Sequence, residues 1–224
     1  MAKHSENTVP GIRQLSAADR IRGEGDSHPR VLFLGNSVTL HGPKAEIGWT
    51  GNWGMAASCA ENDYVHVFMC EFRKKFPEAS WRIGQLADWE RNYWMDEEIL
   101  DGFSDLREWQ PDYICAVFLG ANSPEAPLAE HDLGVHYERM LRYFNPNGSA
   151  RLAVTNMFWE SAPRDEAARR AAENTGAALV DINDLGRTDK MMALNEFKHR
   201  GVAMHPGALG MQTIAARLLA AISD

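Results

Sequence analysis

The chain has 224 residues, 45% of them hydrophobic, and its 23 Lys and Arg against 31 Asp and Glu give a formal net charge of −8. This length and composition are typical of an acidic globular protein with one main domain. The negative charge disfavours nucleic acid and anionic membranes as partners, because both select clustered Lys and Arg.

Targeting and metal-binding signals are weak in this sequence. No run reaches the roughly 20 apolar residues that a membrane-spanning helix needs, and residues 1–30 lack the apolar centre of a signal peptide. We therefore expect a cytoplasmic protein without a membrane partner. Cys59, Cys70 and Cys115 are widely separated, so neither a disulfide framework nor a metal site is predicted.

The pattern of apolar residues divides the chain into an arm and a domain. Residues 1–29 have no sustained apolar period and predict an N-terminal arm, ahead of an α/β domain over residues 30–224. Short apolar runs in that domain predict strands that are buried on both faces. These runs cover residues 31–34, 80–83, 112–119, 150–158 and 177–180, the second being the weakest.

Helical periods fill the gaps between the predicted strands. They cover residues 65–76, 133–144, 161–176 and 211–222. Alternating strands and helices predict a three-layer α/β/α sandwich around a parallel sheet of about five strands. Such sheets place ligands at the carboxyl ends of their strands.

Three polar residues lie next to predicted strand or helix ends. Ser37 follows the first strand, Asn122 follows the third, and His205 precedes the last helix. A serine can act as a nucleophile, an imidazole can remove its proton, and a carboxamide can donate to an oxyanion. Taken singly, each has a simpler interpretation: a helix N-cap for Ser37, a turn residue for Asn122 and a surface residue for His205.

In combination, the motifs around these residues resemble the SGNH (GDSL-like) hydrolases. The motifs are Gly35-Asn36-Ser37, Gly120-Ala121-Asn122 and His205-Pro206, and the resemblance covers residues 31–221. It implies a flavodoxin-like fold and a serine esterase that acts on a small acyl or carbohydrate ester without a cofactor. It also implies that Ser37 is the nucleophile and an oxyanion donor through its N–H, that Asn122 is a further donor, and that His205 is the base.

The sequence departs from the family pattern in the residue that orients the base. Val202 stands where the family has an Asp, so we expect a Ser37–His205 dyad whose imidazole is oriented by a backbone carbonyl or by another carboxylate. Candidates for that carboxylate are Asp181, Asp184 and Glu90.

A second departure concerns the oxyanion hole. The family's glycine after its second strand is not clearly matched, so Ala87 or Gln85 would supply the backbone N–H. In the first motif, Asn36 replaces the usual Asp, and Ser123 replaces the Asp that usually follows Asn122. The resemblance thus leaves the second backbone donor open between two residues.

Aromatic residues near the predicted strand ends suggest the substrate. Trp49 and Trp53 lie in a glycine-rich loop that follows Ser37 in the sequence. They are predicted either to form a wall on which a sugar stacks or to anchor the loop to the domain. With Trp89, they favour an O-acetylated carbohydrate, and Asn36 and His41 complete the substrate-binding candidates. His41 is predicted as a loop hydrogen-bonding residue rather than a second base.

Two other functions fit the same constellation. One is a catalytically weak module that binds carbohydrate or a protein partner, which Val202 favours. The other is an acyltransferase that passes the acyl group to a sugar hydroxyl instead of water.

Overall fold

The structure, a computed structural model, describes residues 19–223 apart from the side chains of residues 96 and 97. One sheet contains the strands β1 (Ile21–Glu24), β2 (Arg30–Gly35), β3 (Ser80–Gln85), β4 (Tyr113–Ala116), β5 (Arg151–Thr155) and β6 (Ala178–Val180). Their spatial order is β1-β3-β2-β4-β5-β6, and all neighbours are parallel except β1 and β3. The predicted α/β fold class is confirmed.

The edge strand β1 is an addition to the predicted sheet. It lies within residues 19–29 of the predicted arm, and it pairs antiparallel with β3, Ile21 opposite Gly84 and Glu24 opposite Trp81. Its sequence, Ile-Arg-Gly-Glu, is half-exposed to exposed, so it has no apolar alternation that would predict a strand. Residues 1–18 of the predicted arm lie outside the described residues.

Within residues 19–223, ten α-helices connect or flank the strands. Their bounds are α1 (Tyr64–Phe72), α2 (Ala87–Asn92), α3 (Asp96–Leu100), α4 (Ser104–Glu108), α5 (Glu125–Glu130), α6 (Leu133–Phe144), α7 (Ala162–Thr175), α8 (Asn183–Gly186), α9 (Arg200–Ala203) and α10 (Ala208–Ser223). The four predicted helices correspond to α1, α6, α7 and α10. The remaining helices have four to six residues, too few to show a helical period.

The two faces of the sheet carry separate hydrophobic cores. In β2, Val31 and Phe33 face the core formed with α1 and α10, whereas Leu32 and Leu34 face the core formed with α6 and α7. Successive side chains of a strand point to opposite faces, so a strand covered on both sides must be apolar throughout. This explains the unbroken apolar run at residues 31–34.

The parallel pairing of β2 with β4 places their carboxyl ends side by side. Leu34 lies opposite Ala116, and the Val117 amide donates to the Leu34 carbonyl at 2.8 Å. The segments that follow the two strands, including Ser37 and Asn122, therefore leave the sheet at the same edge.

Candidate active site

The turn after β2 is tight and exposes one side chain. A Cβ at Gly35 would lie 1.9 Å from Thr39 Oγ1 and 3.1 Å from the Val117 carbonyl oxygen, so only glycine fits there. Among residues 31–42, Ser37 alone is not buried. No helix follows among residues 36–40, so the interpretation of Ser37 as a helix N-cap is wrong.

Asn36 holds this turn from inside. Its Oδ1 accepts from the Val38 amide at 3.2 Å, and its Nδ2 donates to the Phe118 carbonyl at 2.8 Å and to Glu90 Oε1 at 2.9 Å. The side chain is fully buried. Asn36 therefore has no surface for a ligand, and its prediction as a substrate-binding residue is wrong.

Ser37 and His205 form the predicted pair. Ser37 Oγ lies 2.9 Å from His205 Nε2, and His205 Nδ1 lies 2.7 Å from the Gly201 carbonyl oxygen. A carbonyl can only accept, so Nδ1 carries the hydrogen and Nε2 is free to accept from the serine hydroxyl. A main-chain group thus orients the imidazole.

The three candidate carboxylates hydrogen-bond to other groups. Asp181 accepts from Asn156, and Asp184 pairs with Arg217 at 2.5 Å. Among the described residues, neither these two nor Glu90 hydrogen-bonds to His205. Of the two predicted ways to orient the His205 imidazole, by a carboxylate or by a backbone carbonyl, the structure has the backbone carbonyl, that of Gly201.

Position 202 has apolar surroundings in this chain. Val202 is 1% exposed and belongs to a small apolar cluster with Trp49, Met55, Ala56 and Ala193. An unpaired carboxylate in such a cluster would lose its hydration without compensation. The packing around Val202 thus suits an apolar side chain better than a carboxylate.

The environment of His205 favours the neutral imidazole. Burial lowers the pKa of His205 to about 4, although the hydrogen bond to Gly201 acts in the opposite direction. The Trp159 ring packs edge-on against the imidazole at a centroid distance of 5.6 Å and an interplanar angle of 81°. His205 is therefore in the base form throughout the neutral pH range.

Glu90 on α2 joins the segments that follow β2 and β4. Its Oε1 accepts from Asn36 Nδ2 at 2.9 Å and from the Gly120 amide at 2.7 Å, while its Oε2 accepts from Asn122 Nδ2 at 2.5 Å. The residue is fully buried, and this burial raises the pKa of its carboxyl. All of these partners are donors, which suits an ionised carboxylate.

The supply of oxyanion donors differs from the prediction. The Ala87 amide donates to Gln85 Oε1 at 3.2 Å, and the Gln85 amide donates to the Arg20 carbonyl at 2.9 Å. Both predicted backbone donors are therefore engaged within the protein. The Ser37 amide has no acceptor among the described residues, and Asn122 Nδ2 keeps a second hydrogen for an oxyanion.

The tryptophans behave as anchors of the loops more than as a stacking wall. Trp49 is 2% exposed and donates through Nε1 to the His41 carbonyl at 3.0 Å, and Trp89 is completely buried. Their prediction as substrate-binding residues is wrong because neither offers a face to a ligand. Trp53 is half-buried and donates to the Ala57 carbonyl at 2.8 Å.

His41 has the predicted loop role. Its Nδ1 lies 2.6 Å from the Gly42 carbonyl oxygen, and the residue is 4% exposed. Burial lowers the pKa of His41. Such burial leaves little of the ring for substrate binding.

Two supports of the site were not identified in the sequence. One is the Gly201 carbonyl that orients His205. The other is Arg164 on α7, whose guanidinium donates to the Gly120 carbonyl at 2.9 Å and to the Ser123 carbonyl at 2.8 Å, holding the segment that carries Asn122. Neither has a sequence signal, because a carbonyl belongs to every residue and Arg164 lies in a helix rich in Arg.

The described part of the chain has neither a metal-binding cluster nor a membrane-spanning helix. Residues 19–223 contain no group of three or more His, Cys, Asp or Glu side chains that could hold a metal ion. Over the same described range, the helices are too short or too polar to cross a bilayer.

Comparison with solved structures identifies the fold. A candidate GDSL-like lipase from Parabacteroides merdae is 17% identical with a TM-score of 0.56, over 87% of this chain and 95% of that one. An acetyl xylan esterase is 16% identical with a TM-score of 0.51, over 86% and 99%. A salicylyl-acyltransferase from a tetracycline biosynthetic pathway is 11% identical with a TM-score of 0.56, over 89% and 55%.

These likenesses, with the sheet order and the site at its carboxyl edge, show that the chain has the SGNH (GDSL-like) hydrolase fold. No protein-family model matches the sequence, and no curated protein is significantly similar to it.

Proposed function

We propose that the protein is a serine esterase that hydrolyses a small acyl ester. The observation that carries the proposal is the chain of contacts from Ser37 Oγ to His205 Nε2 at 2.9 Å and from His205 Nδ1 to the Gly201 carbonyl at 2.7 Å. A neutral, oriented imidazole beside a partly exposed hydroxyl is the arrangement that activates a serine.

The reaction would proceed in two acyl-transfer steps. Ser37 Oγ attacks the ester carbonyl carbon as its proton passes to His205 Nε2, and the Ser37 amide with Asn122 Nδ2 stabilises the oxyanion. The alkoxide leaves with the proton from His205, which leaves an acyl group on Ser37. Water, deprotonated by His205, then attacks this acyl group and regenerates the hydroxyl.

An O-acetylated carbohydrate is the substrate class that we favour. An acetyl xylan esterase is among the structural neighbours, and this likeness supports an acetyl ester as the substrate. The burial of Trp49 and Trp89 leaves half-buried Trp53 and Trp159 as the aromatic candidates for a sugar face.

Acyl transfer to an alcohol is the second candidate function. A salicylyl-acyltransferase is among the structural neighbours, and its likeness to this chain is as high in TM-score as that of the lipase. The first step would be the same, and a hydroxyl group of an acceptor would replace water in the second.

A fluorophosphonate probe tests the proposed function without knowledge of the substrate. The intact mass should rise by one adduct in the parent and in Ser58→Ala, which removes an exposed serine from the neighbouring loop, but not in Ser37→Ala. Acetylated sugars with and without an acceptor alcohol would then separate hydrolysis from transfer. Absence of an adduct on folded parent protein would contradict both catalytic functions and favour the binding module.

A further inference from the structure

Glu90, which takes no direct part in the proposed reaction, lies at the centre of a largely buried hydrogen-bond cluster. We name the carboxylate cluster the set of Glu90, Asn36, Gly120 and Asn122. Its contacts cross long sequence separations, 54 residues from Asn36 to Glu90 and 32 from Glu90 to Asn122. It therefore fixes the segments after β2 and β4 relative to each other.

We propose that Glu90 is a positioning residue that aims the Asn122 carboxamide at the oxyanion, an inference that rests on the proposed esterase function. The 2.5 Å contact from Asn122 Nδ2 to Glu90 Oε2 determines which end of the carboxamide is nitrogen and which is oxygen. Without this acceptor, a half-turn of the amide would present its oxygen where a donor is needed.

The same carboxylate also acts on the segment that carries Asn122. Glu90 Oε1 accepts from the Gly120 amide at 2.7 Å, while Arg164 binds the Gly120 carbonyl from the other side. Gly120 has a φ of +109°, a conformation that other residues rarely adopt. Both the amide and the carbonyl of Gly120 are thus hydrogen-bonded. These bonds fix the main chain two residues before Asn122, and with it the position from which the Asn122 side chain extends.

Glu90 is separated from the nucleophile–base pair. It reaches Ser37 only through Asn36, and it does not contact His205 among the described residues. Loss of the Glu90 carboxylate should therefore affect oxyanion stabilisation while leaving the hydrogen bond from Ser37 to His205 in place. This separation gives the proposal a distinct kinetic signature.

The test is a double-mutant cycle of Glu90→Gln with Asn122→Ala. A glutamine has nearly the same shape as the glutamate, but its NH₂ group would face a partner that is also a donor, so one hydrogen bond would be lost. Glu90→Gln should lower kcat about 10-fold or more, with KM within about threefold of the parent, because the oxyanion forms only after the ground state. When Asn122→Ala is the background, adding Glu90→Gln should lower kcat less than about threefold further, because the carboxamide that Glu90 orients is already absent.

Asp88→Asn is the matched control. Asp88 is a buried carboxylate on the same helix, but its side chain pairs with Arg20 at 2.8 Å, and within residues 19–223 it has no hydrogen bond to a member of the carboxylate cluster. The Asp88→Asn variant should have a lower thermal stability than the parent and a kcat near the parent value.

Unchanged kcat in Glu90→Gln, or losses in kcat that multiply in the double variant, would overturn the proposal. If Glu90→Gln fails to fold, Glu90→Asp, which keeps the charge but shortens the reach, takes its place in the cycle.

A spectroscopic measurement keeps the proposal separate from the proposed function. The side-chain NH₂ signals of Asn122, assigned by their loss in Asn122→Ala, should be dispersed and slow to exchange in the parent and should move in Glu90→Gln. An inert Ser37 with this signature would refute the esterase, and with it the oxyanion, while showing that Glu90 does orient the Asn122 carboxamide. Signals typical of a solvated carboxamide in the parent would refute the positioning role whatever the activity.

Discussion

The two halves of the candidate site are supported in different ways. The base half consists of Ser37 and His205, and its outermost support is one main-chain carbonyl, that of Gly201. The amide half consists of Asn36, Gly120 and Asn122, and it converges on the buried carboxylate of Glu90. The buried acid of the candidate site therefore contacts the proposed oxyanion donor, Asn122, and not the proposed base, His205.

The two supports differ in how many hydrogen bonds they accept. A neutral carbonyl is sufficient to fix the tautomer of an imidazole, because Nδ1–H needs only an acceptor. A carboxamide has two similar ends, and an acceptor with several lone pairs can fix its orientation while also holding the adjoining main chain. The structure thus separates orientation of the base from orientation of the oxyanion donor.

Removal of the base should have the largest effect. His205→Ala should lower kcat/KM by about 10³-fold, since Ser37 would lose the group that takes its proton. His131→Ala is the control, because His131 stacks on Trp94 at 5.3 Å and lies outside the site. Hydrolysis of a small acetate ester measures both, and near-parent activity in His205→Ala would exclude the dyad.

Removal of the oxyanion donor should come next. Asn122→Ala should lower kcat about 10²-fold while KM changes little, because the lost hydrogen bond forms mainly in the transition state. Steady-state kinetics measure this. A rise in KM at unchanged kcat would mean instead that Asn122 binds the ground-state substrate.

The pH profile should reveal the depressed pKa of His205. Only the neutral imidazole can accept the serine proton, so kcat/KM should fall on the acid side as His205 becomes protonated. With a pKa of about 4 in the free enzyme, activity should persist at pH 5, where an ordinary histidine would already be mostly charged. An acid limb centred near pH 6.5, on protein shown by circular dichroism to be folded, would contradict this expectation.

Restoring the family's acid should change the rate least. Val202→Asp should leave kcat within about threefold of the parent, since Gly201 already fixes the imidazole, but should reduce stability by about 2 kcal/mol or more through burial of a charge. Val202→Asn is the uncharged control of the same shape. A rise in kcat of tenfold or more in Val202→Asp alone would show that the carbonyl is an incomplete substitute.

The strands and long helices could be predicted because their burial pattern is local. The run at residues 31–34 is apolar throughout because its side chains enter two cores, and α6 repeats its apolar residues with the helical period. β1 could not be predicted, because a half-exposed edge strand needs no apolar alternation. Trp49 and Trp89 failed as substrate candidates because residue type does not reveal which face of a loop turns inward.

The apolar pattern determined the class of fold, and the family that the motifs resemble indicated Ser37 and His205 as the candidate dyad, since both lie at the ends of elements that this pattern defines. The tertiary structure alone decided what supports them. The Gly201 carbonyl has no side chain to read, and Glu90 reaches Asn122 only because α2 brings it beneath the segments that leave β2 and β4. A local pattern reports burial along one element, whereas hydrogen bonds between distant residues depend on how the elements pack.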